Sequence, residues 1–86
     1  MKPDKLLLRA KSGHLANVSF ADLARLAEAL GFVLARTTGS HRIFRHPVVG
    51  IIPLQPGRNG DAKPYQIRQL IALAEEFKLT IERSGR

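Results

Sequence analysis

The sequence predicts an α+β fold: a three-stranded antiparallel sheet with two helices packed on one face, and a short helix in front. Three observations carry this. Phe20 to Leu30 and Pro64 to Phe77 each repeat apolar residues at helical spacing. The segment between them changes to short runs of β-branched and aromatic residues broken by glycine and proline. And 86 residues, 44% of them hydrophobic and 24% charged, suffice for one core and not two.

Taken in order, Pro3 to Lys11 sets Leu6, Leu7 and Leu8 among basic residues and suits a short helix, after which "KSGHLANVS" reads as a loop. Ser19 is placed to cap the next helix, with Asp22 three residues on, a variant of the capping box that sets an acid near the positive helix end. Phe20, Leu23, Leu26, Ala27 and Leu30 form its apolar stripe, and Gly31 supplies a left-handed stop. "FVLART" is a strand, Thr37 to Ser40 a turn, and "HRIFRHP" the returning strand of a hairpin. "VVGIIPLQ" makes a third strand, and Pro53, which has no N–H for a ladder, requires it to lie at an edge. "PGRNGDAK" is a loop. Pro64 then suits the first turn of a helix whose stripe is Ile67, Leu70, Ile71, Ala74 and Phe77. The terminal "TIERSGR" adds a short strand or frays. The domain is 1–86, with 1–18 as an N-terminal extension and 19–79 as the core.

Composition narrows the function classes. Without cysteine there is no disulfide framework, thiolate metal site or cysteine nucleophile. The three-leucine run near the start is too short for a signal peptide or a membrane span, so the expected location is the cytoplasm. Fourteen Lys and Arg oppose seven Asp and Glu, a net charge of +7, and the excess is concentrated. Between Arg36 and Arg68 stand six basic residues and a single acid, Asp61. A basic segment of this kind on a folded domain is the electrostatic footprint of a polyanion, most often nucleic acid.

The stretch "LGFVLARTTGSHRIFRHP" resembles the signature of the HicA (YcfA-like) toxins. A helix ends in Gly31-Phe32, a strand carries Arg36, and Gly39-Ser40-His41 leads into a strand with Phe44. The "IIPLQ" strand and the last amphipathic helix extend the resemblance over about Ser19 to Leu79. It implies a fold like that of double-stranded-RNA-binding domains. It also implies the toxin of a type II toxin-antitoxin system, an endoribonuclease that cuts mRNA and so inhibits translation, with one catalytic histidine, which maps to His41. A HicB-type antitoxin protein is the implied partner. The chain departs from the pattern by its extension and by a longer loop, "PGRNGDAKPYQ".

The residues themselves fit such chemistry. RNA brings its own nucleophile, the 2′-hydroxyl, so a catalyst need only take a proton, stabilise the phosphorane-like charge and help the leaving oxygen. A histidine, which ordinarily titrates at about pH 6.5, suits the first task, and arginines suit the second. His41 with Arg36, Arg42 and Arg45 is the minimal set. Gly39 permits a tight turn and close phosphate approach, and Ser40 can donate to a phosphate oxygen. Lys63 and Arg68, at the start of the last helix, are further RNA-binding candidates. The acids are scattered and none falls in the hairpin, so neither a metal nor another cofactor is expected. His14 reads as a solvated loop histidine and His46 as a structural or surface one. Alternation puts His41, Ile43 and Arg45 on one face of their strand and Arg42, Phe44 and His46 on the other. Both faces mix apolar and polar residues, so which arginine accompanies His41 stays open at this level. The alternative reading is a non-catalytic RNA-binding module of the same fold, and a third is a small interaction protein with no RNA role.

Overall fold

A computed structural model describes residues 2–81. Its helices are α1 (Pro3–Lys11), α2 (Phe20–Ala29) and α3 (Pro64–Glu76), and its strands are β1 (Val33–Thr38), β2 (His41–His46) and β3 (Gly50–Leu54). The strands form an antiparallel meander in the order β1-β2-β3. This is the expected α+β architecture, with the front helix formed and Pro53 on an edge strand. Of the terminal segment, Thr80 and Ile81 join no strand, and the expectation for 82–86 lies outside the described residues.

Local chemistry sets the helix ends. The Ser19 hydroxyl accepts the Asp22 backbone N–H at 3.0 Å, satisfying one of the donors that a helix start leaves unpaired. Asp22 also takes the Arg25 guanidinium at 3.0 Å. Gly31, at φ +102°, turns the chain out of α2 in the left-handed region. Pro64 opens α3 at its first turn, where its missing N–H costs nothing. The "PGRNGDAK" loop is more ordered than its composition suggests. It holds a 3-10 turn at Arg58–Gly60, and Ala62 N–H donates to the Val18 carbonyl at 2.8 Å.

One core joins all three helices to the inner face of the sheet. Leu23, Leu26, Ile67 and Leu70 from α2 and α3 meet Phe44, Ile52 and Leu54 from β2 and β3. The N-terminal segment contributes Leu6 and Val18 to this core. Leu6 of α1 is completely buried and Val18 nearly so, while Leu8, on the far side of α1, stays exposed. Burying one leucine contributes about 1.5–3 kcal/mol, so α1 is tied to the fold through its apolar stripe. β1 differs from its neighbours, being exposed along its whole length.

Candidate functional site

Cross-strand register turns the sheet's uncovered face into rows of side chains, because directly paired residues point the same way. His41 pairs with Thr38; Ile43 pairs with Arg36 on one side and Pro53 on the other; Arg45 pairs with Val33 and Ile51. Phe44, between them in sequence, is buried with Ile52 against the helices. The question left open by alternation therefore has an answer. Arg45 shares the open face with His41, and Arg42 lies on the helix-side face.

Arg36 reaches the open face through an irregularity. Leu34 pairs with Phe44 and Arg36 with Ile43, so β1 spends an extra residue, Ala35, between them. Without that bulge, Leu34 and Arg36 would share the inner face. A bulge re-aims the side chains beyond it, and here it sets Arg36 diagonal to His41, roughly 7–8 Å away between Cα atoms. Arg45, four residues along the same strand, is farther, roughly 13 Å.

The turn that delivers His41 has two residues, Gly39 and Ser40. Gly39 adopts φ +59°, the conformation a two-residue hairpin loop demands of its first residue, and a Cβ there would meet no atom within 4 Å. Glycine is required for its backbone and not for space. The Ser40 hydroxyl accepts from Gln55 Nε2 at 3.0 Å. On the inner side, Arg42 holds its guanidinium 5.3 Å from the Phe20 ring centre and reaches the Ser40 carbonyl at 3.5 Å. No member of β1, β2 or β3 is acidic.

His46 has a different environment. It is buried, with its ring centre 4.9 Å from that of Phe32. Its Nδ1 accepts the backbone N–H groups of Val48 and Val49 at 3.0 and 3.3 Å, pinning the β2–β3 connection. A nitrogen that accepts carries no proton, so Nδ1 is the bare nitrogen of this ring. His46 is a structural histidine.

The other two basic candidates sit on α3. Lys63 is its N-cap residue, with its stem against Gly57. Arg68 lines an open groove of about 520 Å³ with Arg9, His14, Asn17 and Pro64. His14 is exposed as expected, but its neighbours in that groove come from distant parts of the chain. Arg9 donates to the Ala16 carbonyl at 2.8 Å, folding the loop back so that His14 comes to rest beside α3. Sequence reasoning missed this grouping, and it also missed Gln55 and Gln66, whose contacts span 15 and 11 residues. Nothing in local spacing signals either.

The geometry defines a class: a small α+β domain whose uncovered sheet face is basic and bears a histidine at the mouth of a glycine-serine turn. The family model described as the HicA toxin of bacterial toxin-antitoxin matches residues 20–75, and the chain belongs to that family. No curated protein and no solved structure matches it. Membership makes it the toxin component of a toxin-antitoxin pair, with an antitoxin as its partner in general terms. α1 lies outside the matched residues. Among the described residues, no helix is long and apolar enough to cross a membrane.

Proposed function

We propose that this toxin is a metal-independent endoribonuclease that cleaves mRNA on its open sheet face, with His41 as the catalytic base. The observation that carries the reading is the juxtaposition of an exposed histidine, a glycine-serine turn and Arg36 on a face without carboxylates. His41 takes the proton of the ribose 2′-hydroxyl. The 2′-oxygen forms its bond to phosphorus, the bond from phosphorus to the 5′-oxygen breaks, and water protonates the departing oxygen. The products are a 2′,3′-cyclic phosphate and a 5′-hydroxyl. Arg36, diagonal to His41, stabilises the charge that grows on the phosphoryl oxygens, and Ser40 donates to one of them.

Arg45 holds the strand farther along the face, and Lys63 and Arg68 add contacts around the start of α3. Arg42 acts from the inner face, steadying the turn through the Ser40 carbonyl. The four cations Arg36, Arg45, Lys63 and Arg68 on phosphates give a slope of log affinity against log salt of roughly −3 to −4. The HicB-type antitoxin covers this face, setting acidic or bulky groups over His41 and using exposed Val33 and Ile51 as apolar contacts. Both proteins act in the cytoplasm, where the mRNA is.

Two measurements test this. Purified protein in EDTA should cut RNA and leave cyclic phosphate ends, and the product of the neighbouring reading frame should co-purify with it and suppress cutting. RNA binding without cleavage, in wild type and His41→Ala alike, would move the protein to the non-catalytic RNA-binding class. A complex indifferent to salt would remove RNA from the account.

A further inference from the structure

Gln66 is one of two buried polar side chains among the described residues, the other being His46. A buried amide is costly unless its groups are engaged, so its placement on the core side of α3 calls for a partner. Its Oε1 accepts the backbone N–H of Gln55 at 3.2 Å, and its Nε2 donates to the Tyr65 hydroxyl at 3.5 Å. Gln55 follows the last residue of β3. Since Arg42 pairs with Leu54, the same register sets Gln55 level with His41, one position past the end of the ladder. From there its side-chain Nε2 reaches the Ser40 hydroxyl oxygen at 3.0 Å. A line of hydrogen bonds thus runs from α3 through Gln55 to the residue beside His41.

This line matters because little else holds the turn. Thr37, Thr38, Gly39, Ser40 and His41 are all exposed, so packing does not fix their positions. The Arg42 contact to the Ser40 carbonyl, at 3.5 Å, is at the limit of a hydrogen bond. The Gln55 contact is shorter and is anchored in the core. Its polarity also matters. A serine hydroxyl has one proton to give and two lone pairs to fill. With Gln55 donating to the oxygen, the proton remains free to point outward.

The geometry points to Gln55, anchored by Gln66, as a positioning residue for the ribonuclease reaction: it holds Ser40 so that the hydroxyl proton is presented to the RNA phosphate beside His41. This rests on the ribonuclease reading given above. Gln55 touches no reacting atom and acts only through Ser40. RNA held by Arg36 and Arg45 stays bound without it, but its phosphate is less well placed.

The test is a double-mutant cycle on single-turnover RNA cleavage in EDTA, with RNA affinity and melting temperature measured for each protein. Gln55→Ala and Ser40→Ala should each slow cleavage at saturating RNA by roughly three- to tenfold, the range of one neutral hydrogen bond, with affinity nearly unchanged. The double variant should be no slower than Ser40→Ala alone, because Gln55 has nothing left to act through. A merely structural contribution would lower the melting temperature and leave the rate of the folded protein unmoved. Gln66→Met, which removes the anchor and keeps the volume, should reproduce the Gln55→Ala rate if it folds, and the Gln55 result stands without it. Gln55→Ala cutting at the wild-type rate, or slowing Ser40→Ala as much as it slows wild type, overturns the role alone. A wild type that cuts no RNA overturns the ribonuclease reading and this role with it.

Discussion

The two histidines of β2 stand at opposite ends of one six-residue strand and on opposite faces of one sheet. His46 is enclosed: Phe32 packs on its ring, and two backbone N–H groups fill its Nδ1. His41 is exposed at the mouth of a glycine-serine turn with Arg36 on the neighbouring strand. The contrast teaches that residue type says little about role until the surroundings are known. His46 spends its ring face and its Nδ1 on the fold, whereas the His41 side chain lies open to solvent.

The comparison can be broken most forcefully at His41. His41→Ala should reduce cleavage by about 10²- to 10⁴-fold, the usual range for a lost general base, while melting stays close to wild type. His46→Ala should do the opposite. It leaves two backbone N–H groups without their acceptor and a void beside Phe32, and costs about 2–4 kcal/mol by denaturant unfolding, with the activity of the folded fraction retained. His46→Asn sharpens the point, since an asparagine oxygen can accept from residues two and three positions on; its cost should fall to about half that of the alanine variant. Leu6→Ala checks whether α1 belongs to the fold, with an expected loss of about 2–4 kcal/mol and no effect on cleavage by the folded protein. The smallest effect is expected from the two arginines of β2. Arg45→Ala should weaken RNA binding and reduce the salt slope by about one. Arg42→Ala, which loses the contact with Phe20, should cost about 0.5–1 kcal/mol of stability and leave that slope alone.

Much of the scaffold was legible because its determinants are local. Ser19 caps α2, Gly31 ends it, Pro64 opens α3 and Pro53 marks an edge strand, each through the conformation or the donor that the residue itself supplies. The faces of β2 were not legible, since Ile43 on one side and Phe44 on the other give alternation no winner. The helices decide it by burying Phe44. Nor could alternation place Arg36, because the bulge at Ala35 resets the count in a strand exposed throughout. The Gln66–Gln55–Ser40 line and the grouping of Arg9 and His14 with Arg68 depend on where distant segments dock. The histidine of the proposed site was therefore visible in a short motif, and its surroundings became visible only in three dimensions.

The division between the two histidines is tested most directly by measuring cleavage and unfolding on the same three proteins: wild type, His41→Ala and His46→Ala, with RNA in EDTA. His41→Ala should melt like wild type and cut at least about 100-fold more slowly, while His46→Ala should melt early and, below its transition, cut at a rate close to wild type. Cleavage by His41→Ala within about tenfold of wild type, or cleavage lost in a folded His46→Ala, would contradict the division.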